Sequence, residues 1–268
     1  MLKKMKDFKK RLVSYYKEEE NKKVAIFYIV LRLLVILCLI REIILGNYHN
    51  VFLCLLTLVL FIIPFFVEDK FKVTIPNVLE IIILLFIFSA EILGEIQNFY
   101  NLIPNWDMIL HTLNGFLAAA IGFSLIDILN TTDKFHIKMS PIFVALVSFC
   151  FSMTVGIVWE FFEFTADNLL NTDMQKDSII TKISSVNLEN KDDFVPKVIK
   201  DISKTTIHYE NNKIITISDG YLDIGLIDTM EDLLVNLLGA SFFSILGYFY
   251  ILKRDKYKGI EHFIPKRK

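Results

Sequence analysis

An all-α membrane protein is the fold class this sequence predicts: a six-transmembrane-helix bundle with N and C termini cytoplasmic. It adds a long extracytoplasmic loop, with a small β-hairpin, between helices 5 and 6. Three observations predict it. The 268 residues are 54% hydrophobic, with 24 Phe against only 6 Pro, and mean hydropathy is +0.48, too apolar for an ordinary soluble domain. Apolar runs recur near the ~20 residues a helix needs to cross a bilayer. The Lys and Arg residues lie between those runs in an alternating pattern that fixes an orientation.

The runs lie at roughly 24–45, 50–67, 77–95, 107–127, 141–166 and 229–252. A chain inside hydrocarbon must satisfy its own backbone hydrogen bonds, so each run is expected to be a helix. Residues 1–23 precede them and carry nine Lys/Arg. Leu2, Met5, Phe8, Leu12 and Tyr15 recur there at helical spacing, as in a basic amphipathic helix on the cytoplasmic membrane surface or a basic tail that sets topology. No small-residue cleavage pattern follows, so the first run reads as an uncleaved signal anchor. Helices 1–5 then occupy 24–166, and Glu68-Asp69-Lys70 with Pro64 and Pro76 separates the second from the third. The loop 167–228 is long and polar; Thr205–His208 and Lys213–Ser218 alternate around Asn211-Asn212 as a hairpin would. The loop as a whole reads as a solvated linker carrying that hairpin or as a structured lid over a membrane site. Helix 6 fills 229–252, and 253–268 forms a basic cytoplasmic tail with seven Lys/Arg.

With the N-terminus inside, Lys70/Lys72 and Lys134/Lys138 fall in cytoplasmic loops, and segment 96–106, which has no Lys or Arg, falls outside. A bacterial plasma (inner) membrane, crossed several times, is the expected location. Net charge is −1, so nothing favours nucleic acid as a partner; membrane lipids are the expected one. Cys38, Cys54 and Cys150 all sit in apolar runs, which argues against a disulfide framework. No phosphate-cradling glycine loop, nucleophile elbow or paired-cysteine motif appears.

The chemistry concentrates at the outer ends of four runs. Asp107, His111 and Asn114 share one helical face, and Glu160, Glu163 and Asp167 share another. Asp228, Asp232 and Asn236 follow at i, i+4, i+8, and Glu91 and Glu95 at i, i+4. Gly115 and Gly239-Ala240 would let helices approach closely. Carboxylates crowded at membrane depth must be protonated, hydrated or matched by a cation. A divalent metal ion (Mg²⁺, Mn²⁺ or Zn²⁺) is the expected cofactor. Its candidate ligands are Asp107, His111, Glu160, Glu163 and Asp232, supported by Asp228, Asn236 and Glu95; His111, Glu160 and Glu163 are the catalytic candidates. Helix capping and an interhelical hydrogen-bond network explain the same acids without any ligand. Arg41 and Glu42 read as a local ion pair, and Glu80 as facing water.

The strings Leu93-Gly94-Glu95, Trp106-Asp107-Met108-Ile109-Leu110-His111, Trp159-Glu160-Phe161-Phe162-Glu163 and Asp228-Thr229-Met230-Glu231-Asp232 with Asn236–Ala240 occur in a fixed order. As a set they resemble the YjdF-type family of bacterial integral membrane proteins and, more distantly, VanZ-like proteins. The resemblance covers 77–252 and implies a six-span inner-membrane protein; its VanZ-like side implies a cell-envelope role. The insert 168–218 departs from the compact pattern. Three functions are therefore expected in competition: a metal-dependent site acting on a lipid or envelope substrate, an ion-coupled transporter, and a non-catalytic membrane scaffold.

Overall fold

The computed structural model describes residues 22–131, 139–188 and 194–267. Most of the basic N-terminal segment 1–23 and the loop bearing Lys134 and Lys138 lie outside them. Five helices are long and apolar enough to cross a membrane among the described residues: Lys22–Leu45, Tyr48–Phe71, Trp106–Leu129, Pro141–Leu170 and Leu226–Leu252. The chain forms two compact units, one of residues up to Gly156 with Val235 onward, the other of Ile157–Leu234.

In the first unit, α1 (Lys22–Leu45) buries Val24, Tyr28, Leu31 and Val35, one helical stripe, and leaves Ile26, Leu33, Leu37 and Ile44 exposed. An apolar face turned outward is what a lipid-facing helix requires. The stripe packs on Cys54 and Phe61, and on Leu84 and Ile92. The next apolar run is α2 (Tyr48–Leu60) and α3 (Ile63–Phe71), interrupted at 61–62. Pro64 explains the break: it has no N–H for the helical ladder and its ring crowds the preceding turn.

The third expected span is not one α-helix. After strand β1 (Val73–Thr74), helix α4 (Asn77–Phe88) passes directly into a π-helix, Ser89–Ile96. The Gln97 N–H donates to the Ile92 carbonyl at 2.9 Å, the five-residue step of that wider coil. Gly94 accounts for part of the local fit, because a Cβ there would lie 2.4 Å from the Tyr100 ring. A short helix, α5 (Phe99–Leu102), follows.

Helix α6 (Trp106–Thr131) packs against the first half of α7 (Pro141–Leu170) and the last half of α8 (Leu226–Leu252). Their shared core is Ala119, Ala120 and Phe123, Val144, and Ala240, Phe243 and Tyr250. Glycine sets the spacing: a Cβ on Gly115 would lie 2.2 Å from the Asn236 carbonyl oxygen, and one on Gly239 2.0 Å from that of Thr112. The helices approach backbone to backbone, the small-residue packing that membrane helices use.

Beyond Leu252 the chain does not run on as a free tail. A 3₁₀ helix (Lys258–Phe263) and strand β8 (Lys266–Arg267) fold back, β8 pairs antiparallel with β1, and Ile260 and Ile264 enter the core. The two apolar side chains at i, i+4 supply the anchor that a purely charged tail would lack.

In the second unit the loop expected to carry one hairpin contains three paired ladders among the described residues. The expected hairpin is there: β5 (Lys204–Tyr209) pairs with β6 (Lys213–Ser218), with Asn211 and Asn212 at φ 55° and 60°, the left-handed region that Asn tolerates best after Gly. In addition β2 (Ser178–Ile180) pairs with β7 (Tyr221–Asp223), and β3 (Ile183–Ser185) with β4 (Lys197–Ile199). The hairpin is tied in by the Thr205 hydroxyl, which donates to the Gly220 carbonyl at 2.8 Å.

Candidate functional site

The polar residues singled out by spacing are divided between the two compact units of the chain. In the first unit, Asp107 and His111 lie one turn apart on α6, with Nε2 of His111 3.6 Å from Oδ1 of Asp107. His111 is buried and Asp107 partly exposed. One turn further, Asn114 Nδ2 donates to Oδ1 of Asn236 at 3.2 Å, and Asn236 is fully buried. Asn236 Nδ2 approaches the Ser152 carbonyl at 3.5 Å, and the Ser152 hydroxyl donates to the Gly115 carbonyl at 2.8 Å. A second rung lies below it: Ser244 Oγ is 3.3 Å from Ser148 Oγ, whose hydroxyl donates to the Ala119 carbonyl at 2.7 Å. These contacts stitch three helices together. Asn236, whose spacing placed it in support of a ligand set, takes part in this interhelical network.

In the second unit, Glu160 and Glu163 project from α7 at i, i+3 and Asp232 from the first turns of α8. All three are buried, at 4%, 7% and 2% exposure, and each offers a carboxylate oxygen within 4.8 Å of the others. Ionised together, such groups repel by about 3 kcal/mol per pair at an effective dielectric of ~20. The indole N–H of Trp159 donates to Oε1 of Glu163 at 2.9 Å and holds that carboxylate's direction. Asp228 stands beside Asp232, with oxygens within the same 4.8 Å, and its Oδ2 accepts the Lys176 backbone N–H at 2.7 Å. Gln175 Nε2 donates to Thr229 Oγ1 at 2.5 Å. Asp167 does something different. It accepts the Thr172 hydroxyl and the Met174 and Gln175 N–H groups, at 2.7, 2.7 and 2.9 Å, and so shapes the turn that leaves α7.

Glu160 is 19 residues along α7, about 29 Å from its start at 1.5 Å per residue. That distance is comparable to the ~30 Å thickness of a bilayer's hydrocarbon core.

Glu95 is exposed on the π-helix and Glu91 half-buried. Glu42 is a closed local centre, receiving Arg41 Nε at 2.7 Å, Asn47 at 2.8 Å and Asn50 at 2.9 Å. Glu80 is buried, contrary to its expected exposure; it lies on the face of α4 that carries Leu84. Two further buried acids have no signature in the sequence. Glu68 accepts the Ile75 N–H at 2.5 Å and so holds the turn into α4. Asp127 pairs with Arg254 at 2.5 Å across 127 residues. Neither has a spacing signal, since each partner is distant or a backbone group.

Residues 26–253 match the model of the DUF2238 family of predicted membrane proteins. The chain belongs to that family. It is also similar to an uncharacterized protein of Thermotoga maritima, 28% identical over 107 residues, which is 40% of this chain and 53% of that protein. The chain thus aligns with about half the length of that relative. No solved structure matches. With its apolar helices, family membership makes this a membrane protein.

Proposed function

We propose that this is a multi-pass plasma-membrane protein that holds a divalent cation on Glu160, Glu163 and Asp232, at its extracytoplasmic face, and acts on a lipid or cell-envelope substrate. The observation that carries the reading is the trio itself: three buried carboxylates on two helices, with oxygens within 4.8 Å. A cation relieves their mutual repulsion most completely, and an all-carboxylate set suits Mg²⁺ or Mn²⁺, with Zn²⁺ favoured if an imidazole joins. Such an ion would polarise a phosphoryl or acyl oxygen or lower the pKa of a bound water. The sequence-based assignment of Asp107 and His111 as further ligands is part of the proposal, as is the six-span topology. The likeness to YjdF-type and VanZ-like sequences supports the envelope substrate by analogy alone.

The test is elemental analysis of the full chain purified in mild detergent, followed by thermal unfolding with added Mg²⁺, Mn²⁺ or Zn²⁺. At 100 times the dissociation constant a bound ion adds about 2.7 kcal/mol, a rise of roughly 5–10 °C for a chain of this size. Glu160→Gln and Asp232→Asn should abolish the rise. His111→Gln should weaken it if the imidazole is a ligand and leave it unchanged if the carboxylates act alone. No copurified metal and no cation-dependent shift would refute the proposal.

A further inference from the structure

The folded-back C-terminal segment builds a cleft that the function above does not use. Thr74 and Pro76, with Lys258, His262, Lys266 and Arg267, line an open volume of about 640 Å³ together with Glu261. A second cleft of about 380 Å³ shares Glu261, Lys266 and Arg267 and adds Asp127 and Arg254. Four cations thus face two carboxylates, and both carboxylates are engaged: Asp127 with Arg254, and Glu261 with Lys266. The walls are held in place. Glu68 fixes the turn that presents Thr74, β1 pairs with β8, and Ile260 and Ile264 anchor the 3₁₀ turn. Arg254 is further positioned over the Tyr250 ring, 5.1 Å from its centroid.

A run of lysines that only fixed topology would need no such scaffold, because the positive-inside effect depends on charge near the membrane and not on fold. Here cationic side chains, the Thr74 hydroxyl and an imidazole converge from two distant segments, immediately beyond the end of an apolar helix at Leu252. The end of an apolar helix is where a spanning segment would meet the headgroups, and multiple cationic donors with a hydroxyl suit a phosphate. We infer that this cleft binds a phosphate-bearing anion, supplied by an anionic phospholipid headgroup or by a soluble phosphate.

Native mass spectrometry of the full chain in detergent, titrated with phosphatidylglycerol or phosphatidylcholine, tests it. Phosphatidylglycerol should bind in preference, and Lys258→Gln with Arg267→Gln should weaken it about fivefold per charge, on the order of 25-fold together. Lys253→Gln with Lys256→Gln removes equal charge from the same segment outside the cleft and should weaken binding clearly less than the cleft pair does. Retained binding in Lys258→Arg with Arg267→Lys separates lost charge from lost folding. Displacement of the lipid by millimolar inorganic phosphate would mark a soluble ligand as the source; no displacement would mark the lipid. Equal losses in the two glutamine pairs, or equal binding of both lipids without phosphate binding, would overturn the inference.

Discussion

Replacing Gly239 by alanine tests the packing of α6 against α8 in a way that fixes the sign of the answer. In an open helix interior glycine to alanine stabilises by about 1 kcal/mol, because alanine restricts the unfolded chain and favours the helix. At Gly239 the new Cβ would lie 2.0 Å from the Thr112 carbonyl oxygen and 3.0 Å from the Phe116 nitrogen. Ordinary contact begins at 3.4 Å, so the two backbones must part by about 1.4 Å, and no flexible side chain can absorb the change. Overpacking of this kind costs about 1–3 kcal/mol. Parting the helices also stretches the 3.2 Å Asn114–Asn236 hydrogen bond one turn away. The expected net result is a loss of about 1–2 kcal/mol, read as a melting temperature lower by roughly 3–8 °C in detergent. Gly259→Ala is the control: a Cβ there meets nothing within 4 Å, and its effect should stay within about 0.5 kcal/mol. If Gly239→Ala melts higher than the parent protein, the close approach of these helices is wrong.

The other predictions concern charge, pH and topology. In a double-mutant cycle, Asp127→Asn and Arg254→Gln should show a coupling of about 1–2 kcal/mol by thermal unfolding, because Asp127 is buried; additive effects would refute the pair. Burial and the neighbouring charges of Asp173, Asp223 and Asp167 push the Asp177 carboxyl above its ordinary value. The fold therefore binds that proton more tightly than the unfolded chain does, and its stability falls as pH rises through the carboxylate range. Asp177→Asn should accordingly raise stability at pH 7 and have little effect near pH 4; a destabilised variant at pH 7 would reverse the assignment. Glu261 behaves oppositely: the hydrogen bond from Lys266 holds its carboxyl low. Its contribution is present above the ordinary carboxylate pKa and is lost as pH falls through the lowered value. In hydrogen exchange of 258–267, protection relative to the intrinsic rate at each pH should fall at acid pH in the parent and change little with pH in Glu261→Gln. Single cysteines at Lys213 and Lys253, in a cysteine-free background, should label from the outside and only after permeabilisation, respectively; the reverse pattern would invert the topology.

Hydropathy made five of the helices legible because an apolar run of membrane length leaves few alternatives to a helix. It could not show that Ser89–Ile96 winds as a π-helix, since that depends on side-chain fit around Gly94 and Tyr100 rather than on composition. The β5–β6 hairpin was legible from alternation around Asn211-Asn212. The ladders β2–β7 and β3–β4 were not, because each strand has three residues and its partner lies 12 to 45 residues away across the registers. For the site, helical spacing placed Glu160 with Glu163 and put Asp107 beside His111. It could not separate Asp167, which is spent on turn geometry, from its neighbours on the same face. Nor could it show that Glu42, Glu68, Glu80 and Asp127 are buried, because a lone acid near the end of an apolar run reads the same whether it faces water or a partner.

The contrast between the two polar groups bears on which of them is a site. Around Asn236 each neutral group has a matched role: amide to amide, amide to carbonyl, hydroxyl to carbonyl. Such a network is stable without any ligand, and interhelical bonds of this type contribute about 0.6 kcal/mol each in a membrane bundle. The trio of Glu160, Glu163 and Asp232 is chemically different, since it brings together three groups of one kind that ionise to the same charge. A hydrogen bond such as the one from Trp159 to Glu163 orients a carboxylate but adds no net positive charge. Full ionisation therefore needs a countercharge, and full protonation would require three carboxyls to hold protons at neutral pH. Packing alone would be served better by Gln and Asn at these positions. That is why replacing Glu160 and Asp232 by their amides should preserve or raise stability in the absence of metal while removing the response to it, a combination that a purely structural cluster would not show.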